Sequence, residues 1–170
     1  MKWLRPSVRG IDSFTDTVGK VIRWLVPVIM SITVYDVIMR YFFNAPTIWA
    51  YELSGLLLGP FWLLAGGYVI LHGGHVRLDI LFRRLSPRGQ AIIDLVTHPL
   101  LFFYCVLVMI KGWDYFLFSL MRYEHTVSVW GPLIWPFKLI IPIGAGLFLL
   151  QGVAMYIRAL YIGITGRALE

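Results

Sequence analysis

Apolar residues dominate four long runs of the chain, and short polar segments separate these runs. The runs cover approximately residues 21–43, 47–71, 91–121 and 136–158. A helix needs about 20 residues to cross the roughly 30 Å of hydrocarbon in a bilayer. Each run is long enough, and a helix satisfies its own backbone hydrogen bonds in lipid. The pattern therefore predicts four transmembrane helices.

Two shorter segments have apolar residues at helical spacing and basic residues on the remaining positions. These segments are approximately residues 10–20 and 76–86. Such a pattern is typical of an amphipathic helix that lies on the membrane surface and contacts anionic lipid through its basic residues. We therefore expect membrane lipids among the partners. For the first segment a frayed tail remains the alternative.

The composition supports a single membrane domain over residues 1–170. The chain is 59% hydrophobic and 14% charged, with a mean hydropathy of +0.76. A soluble domain of this size has too little interior to bury so much apolar surface. The net charge of +6 could suggest nucleic acid, but the basic residues cluster at the ends of the apolar runs. We therefore predict an all-α membrane protein that has no nucleic-acid partner.

The distribution of lysine and arginine predicts the orientation of the chain. Five of them lie in the N-terminal segment that ends at Arg23, four lie in the connection over residues 72–90, and two lie in the C-terminal tail. The opposite side carries four, which are Arg40, Lys111, Arg122 and Lys138. Because cytoplasmic loops carry the excess of basic residues, both termini and the middle connection are predicted to be cytoplasmic.

Ionisable residues lie near the outer ends of the first two predicted spans. Asp36 and Arg40 are four residues apart and share a helix face, so we predict that they pair. Glu52 lies in the first turns of the second span, where the helix dipole favours an acid. Across the hairpin, Glu52 could pair with Arg40.

A stripe of small residues follows one face of the second predicted span. Gly55, Gly59, Gly66 and Gly73 lie on this face together with Trp62. Small residues at this spacing allow transmembrane helices to approach closely. The stripe could pack within this chain or against another subunit, and the sequence leaves both interpretations open.

The motifs of several enzyme classes are absent from the sequence. It contains no P-loop, no CxxC, no HExxH and no GxSxG, so we predict a protein that is not an enzyme and needs no cofactor or metal. Cys105 is the only cysteine, which excludes an intrachain disulfide. His98 is interpreted as a packing residue.

Two alternatives involve other classes of membrane protein. His72 or His75 together with His98 could ligate a haem, as in a cytochrome b-type membrane anchor of a redox complex. A small self-assembling channel would need a polar stripe along a whole span, and the predicted spans are polar mainly at their ends.

Two sequence segments together resemble a known family. Residues 40–53 (RYFFNAPTIWAYEL) and, on the next connection, residues 74–79 (GHVRLD) are similar to the small membrane subunit, or Q subunit, of TRAP (tripartite ATP-independent periplasmic) transporters. The resemblance extends over approximately residues 10–160, including the four spans.

The resemblance implies a scaffold subunit in the bacterial inner membrane. Such a subunit braces a large membrane subunit that carries sodium ions and an organic acid, and it helps to dock a periplasmic substrate-binding protein. Because the sequence ends at Glu170, the large subunit is expected to be a separate chain. The family motif corresponds to Arg40, Asn44, Pro46, Trp49, Glu52, His75 and Asp79, which are expected to be structural or interface residues. With Gly55, Gly59, Trp62 and Gly66 of the glycine stripe, they form the predicted subunit interface.

Overall fold

The structure is a computed structural model, and it describes residues 4–73 and 87–165. These residues form five helices, with no β-strand and one isolated bridge between His125 and Leu133. The helices are α1 (Leu4–Ile22), α2 (Leu25–Phe42), α3 (Ala50–Leu71), α4 (Pro87–Met121) and α5 (Trp135–Thr165).

Within the described residues, four helical segments are long and apolar enough to cross a membrane, which confirms the predicted all-α class with four candidate transmembrane helices. The segments are Val8–Phe42, Ala50–Leu71, Ile92–Met121 and Trp135–Ile164. Helix α4 has 35 residues, or about 52 Å at 1.5 Å per residue, and so exceeds the hydrocarbon thickness. Helix α5 likewise continues beyond the predicted end at residue 158.

The N-terminal segment is a packed helix rather than a frayed tail. Val8, Thr15 and Gly19 of α1 are buried against the bundle, whereas Phe14 and Val21 are exposed on another face. The helix is interrupted at residues 23–24 before α2 begins, and the chain continues there through turns. The second predicted amphipathic segment, 76–86, lies outside the described residues.

Helix α5 lies at the centre of the bundle. It packs against α4 along most of its length and against α3 and α1, while α2 packs mainly against α3. Glycines allow these close approaches: a Cβ on Gly144 would lie 2.9 Å from the Cβ of Leu63, and one on Gly112 would lie 2.8 Å from the Cγ2 of Ile141.

Two further glycines of α5, Gly152 and Gly146, behave differently from each other. A Cβ on Gly152 would lie 3.1 Å from the ring of Phe102, so this glycine does allow close packing. Gly146 faces open space, since a Cβ there would meet nothing within 4 Å.

Candidate subunit interface

Asp36 organises the outer end of the α2–α3 hairpin. Its carboxylate lies 2.6 Å from a guanidinium nitrogen of Arg40, which confirms the predicted pairing. The backbone N–H of Thr47 donates to the same carboxylate at 3.2 Å, and the Thr47 hydroxyl also donates to it. Asp36 is therefore buried and satisfied by partners on both sides of the turn.

The turn itself depends on Asn44 and the residues that follow. Asn44 has a φ of +49°, and asparagine is one of the few residues that tolerate this left-handed conformation after a helix. The N–H of Ala45 then donates to the carbonyl of Met39 at 3.0 Å. Pro46 is exposed, and Trp49 stacks on Tyr35 of α2 with 6.0 Å between the ring centroids.

Glu52 does not pair with Arg40, so that prediction is wrong. Its carboxylate accepts a hydrogen bond from the hydroxyl of Ser128, 2.5 Å away in the connection between α4 and α5. Arg40 is instead held by Asp36, one turn away on its own helix. Glu52 therefore fastens the start of α3 to the outer loop and not to α2.

The loop between α4 and α5, which is named the outer loop after its predicted side of the membrane, folds as a short hairpin. The N–H of Thr126 donates to the carbonyl of Pro132 at 3.0 Å, and the N–H of Ile134 donates to the carbonyl of Glu124 at 3.0 Å. Val127 and Val129 at its tip are fully or almost fully exposed. The loop thus presents apolar side chains on a frame fixed by hydrogen bonds.

Helix α4 enters this loop through a left-handed residue. Tyr123 has a φ of +47°, its N–H donates to the carbonyl of Leu120, and the N–H of Glu124 donates to the carbonyl of Ser119. This pair of hydrogen bonds is the Schellman arrangement, in which glycine usually occupies the left-handed position. A tyrosine there is strained, and the surrounding hydrogen bonds hold it in place.

Glu124 and Lys138 form an ion pair at the base of the loop, with 2.5 Å between the carboxylate and the ammonium nitrogen. The Lys138 side chain is 14% exposed, and its nitrogen also lies 4.8 Å from the ring centroid of Tyr115. Hydrogen bonds from Lys138 and then Ser119 lower the pKa of Glu124 below its usual value of 4.5.

This lowered pKa predicts a pH dependence of stability. The pKa of Glu124 is lower in the folded protein than in the unfolded chain. The contribution of Glu124 to the free energy of unfolding is therefore fully present above the pKa of the unfolded chain, and it is lost as the pH falls through the pKa of the folded protein. We expect Glu124→Gln to lower the melting temperature at pH 7, and the difference from the unmodified protein to decrease progressively as the pH falls below the usual pKa of 4.5. Thermal unfolding in detergent over pH 3–8 measures this, and a difference that did not change with pH would contradict it.

The glycine stripe of α3 divides into two parts. A Cβ on Gly66 would collide with the ring of Phe148, so Gly66 packs within this chain. A Cβ on Gly55 or Gly59 would meet nothing within 4 Å, and Trp62 is 67% exposed.

Gly55 and Gly59 line an open groove between α3 and α5. Its walls are the α3 residues Leu56, Pro60 and Leu63 and the α5 residues Phe137, Lys138 and Ile141. The groove is wide because no side chain of α3 projects into it at either glycine. Two of the predicted interface residues, His75 and Asp79, lie outside the described residues.

A polar cluster that was not predicted from the sequence holds α1 to the C-terminal half of α5. Arg158 of α5 pairs with the carboxylate of Asp12, and the Gln151 side-chain amide donates to the same carboxylate at 3.2 Å. The Thr15 hydroxyl donates to the Gln151 carbonyl oxygen at 3.1 Å, and both Thr15 and Gln151 are almost completely buried. The sequence does carry one signal for this cluster, which is Gln151, a polar residue within an apolar run. A polar side chain in that position needs a hydrogen-bond partner in the membrane.

This cluster predicts a specific loss of stability. Arg158→Gln is expected to destabilise the purified protein by about 1–3 kcal/mol, because it leaves the partly buried Asp12 carboxylate without its cation. Lys20→Gln is the control, since the exposed Lys20 pairs with Asp16 one turn away on α1 itself, and such pairs within one helix contribute at most about 1 kcal/mol. Equal melting temperatures for the two variants would show that the cluster does not hold α1 in place.

Two of the histidines considered as haem ligands, His72 and His98, have other contacts, and His75 lies outside the described residues. His98 donates from Nδ1 to the carbonyl of Asp94 on its own helix, and its ring forms a cluster with those of Phe102 and Tyr156. His72 donates to the carbonyl of Tyr68, and its Nε2 lies 3.7 Å from Asp16. These contacts favour the packing interpretation of His98.

The fold and the exposed faces define a small membrane protein with four spans, two open glycines on α3 and a structured outer loop. Residues 29–161 match the family model described as "Tripartite ATP-independent periplasmic transporters, DctQ component", and the chain belongs to this family. The family is a component of transporters and not an enzyme family.

Two curated proteins are similar to the chain. One is a TRAP transporter small permease protein of Haemophilus influenzae, 28% identical over 119 residues, which are 68% of this chain and 73% of that protein. Another is the C4-dicarboxylate TRAP transporter small permease protein DctQ of Vibrio cholerae, 24% identical over 106 residues, which are 62% of this chain and 46% of that protein.

Proposed function

We propose that this chain is the scaffold subunit of a sodium-driven TRAP transporter in the bacterial inner membrane. It braces a separate large membrane subunit, which carries the sodium ions and the substrate. The observation that carries this proposal is the open groove at Gly55 and Gly59, because a Cβ at either glycine would meet nothing of this chain within 4 Å, whereas Gly66 on the same face of α3 is covered by Phe148. Close backbone contact is what drives helix association in lipid, so a helix of the large subunit fits this groove.

The outer loop is the proposed contact for the periplasmic substrate-binding protein. The distribution of basic residues supports cytoplasmic termini, and with this orientation the α2–α3 turn and the α4–α5 loop lie in the periplasm. The exposed Val127 and Val129 are held on a frame of hydrogen bonds there. A preformed apolar surface loses little entropy when a partner covers it.

Organic acids of the C4-dicarboxylate type are the proposed substrates. The name of the similar Vibrio cholerae protein, which specifies a C4-dicarboxylate transporter, supports this proposal. Selection of the substrate is assigned to the other subunits, since several described charged residues of this chain are paired with one another.

Co-expression with the large subunit tests the proposal. We expect the two chains to purify together in detergent, and vesicles that contain both chains, supplied with the binding protein, to accumulate a C4-dicarboxylate under an inward sodium gradient. Vesicles with this chain alone should not accumulate it. Separate purification of the chains, or equal uptake by the large subunit without this chain, would contradict the proposal.

A further inference from the structure

The outer loop is tied to both walls of the open groove between α3 and α5. On the α3 side, the Ser128 hydroxyl donates to the Glu52 carboxylate at 2.5 Å, and Glu52 precedes the groove residue Gly55 by about 4.5 Å along the helix axis. On the α5 side, the Lys138 ammonium pairs with the Glu124 carboxylate at 2.5 Å, and Lys138 itself lines the groove. The loop therefore has one anchor on each wall.

The two walls leave a gap at the level of Gly55 and Gly59. A Cβ on either glycine would meet nothing of this chain within 4 Å, whereas one turn further along α3 Leu63 closely contacts Gly144 of α5. A partner helix seated in the gap contacts both walls and fixes their separation at this end of the groove. It thereby also fixes the separation of the two anchors on which the position of the loop depends.

The Ser128 hydroxyl joins the internal frame of the outer loop to α3. It accepts hydrogen bonds from the N–H of Gly131 at 3.0 Å and from the Thr126 hydroxyl at 2.8 Å, so its single hydrogen is donated to Glu52. A hydrogen bond to a carboxylate is stronger than one between neutral groups. Loss of the Glu52 carboxylate would therefore release the loop from α3 as a unit, because the hydrogen bonds within the loop would remain.

We propose that the groove and the outer loop are coupled docking sites, so that the large subunit in the groove and the substrate-binding protein on the loop each strengthen the binding of the other. This inference rests on the proposed function, which assigns these partners to these two surfaces. A helix that fixes both anchors orders the loop before the binding protein arrives, and less conformational entropy is then lost on docking. Because coupling between two sites is reciprocal, the binding protein in turn favours the occupied groove. Glu52 and Ser128 are positioning residues, which act on the binding protein through the loop.

The affinity of the substrate-binding protein for the assembled complex in nanodiscs tests the role of the link. Glu52→Ala and Ser128→Ala should each weaken binding about tenfold, and the double variant should be no weaker than either, because each change breaks the same hydrogen bond. Glu52→Gln keeps an acceptor oxygen and Ser128→Thr keeps the hydroxyl, so both should bind within about twofold of the unmodified complex. Additive losses, or a Glu52→Gln variant as weak as Glu52→Ala, would overturn the inference, because the carboxylate would then contact the partner directly.

Spin labels test the coupling in the absence of the binding protein. In a Cys105→Ala background, one label is placed at Val127→Cys on the exposed tip of the loop and one at Phe14→Cys on the exposed face of α1. Addition of the large subunit should narrow the distribution of distances between the labels, measured by pulsed EPR, and Glu52→Ala should keep it broad with the subunit bound. A distribution of equal width with and without the large subunit would overturn the inference alone. Failure of the unmodified chain to co-purify with the large subunit would contradict the proposed function as well.

Discussion

Replacing Gly144 with leucine is expected to destabilise the chain by about 3 kcal/mol or more, which is the upper range for an overpacked core. The Cβ would lie 2.9 Å from the Cβ of Leu63 and 3.1 Å from its carbonyl oxygen. A backbone atom cannot rotate away as a side-chain tip can, so α3 and α5 would have to separate along their contact. A large decrease in melting temperature, or a failure to accumulate in membranes, measures this effect.

The same substitution at Gly146 is the control for this prediction. Gly146 lies on the same helix, two residues further on, and a Cβ there meets nothing within 4 Å. Gly146→Leu should therefore accumulate and melt like the unmodified protein. If both variants were equally stable, the contact between α3 and α5 at Leu63 could not be as close as described.

The architecture was predictable because the length of an apolar run is a direct physical requirement of the bilayer. The ends of the helices were less predictable. Helix α5 continues as far as Thr165, beyond the predicted end at residue 158. Helix propensity and packing determine these ends, and hydropathy does not report them.

Local contacts of the candidate site were predictable, whereas contacts between distant residues were not. The Asp36–Arg40 pair follows from a separation of four residues on one helix. Glu52 is bonded to Ser128, 76 positions away, and Asp12 to Arg158, 146 positions away. No periodicity identifies such partners, because they depend on which helices become neighbours in the bundle.

The glycine stripe of α3 shows the same limit. Gly55, Gly59 and Gly66 are equivalent in the sequence, since they share one helix face. Helix α5 crosses α3 so that Phe148 covers Gly66, while Gly55 and Gly59 remain open. The crossing of the two helices, and not the spacing of the glycines, divides the stripe into an internal contact and a face available to another subunit.

Gly59→Leu is therefore expected to weaken assembly with the large subunit about tenfold or more, or by at least about 1.4 kcal/mol, while the fold of this chain is unchanged. The new side chain has room because no atom lies within 4 Å of its Cβ. It would fill the groove beside Phe137 and Ile141 and hold a partner helix away from the α3 backbone. The fraction of large subunit that co-purifies with the tagged chain, at matched expression, measures this effect.

Two further variants make the result specific to the groove. Gly55→Leu projects into the same groove and should weaken co-purification in the same direction. Gly146→Leu adds the same side chain at an open position outside the groove and should leave co-purification unchanged. If the complex survives Gly59→Leu with unchanged yield and transport, this face of α3 contacts lipid, and the large subunit must bind elsewhere on the bundle.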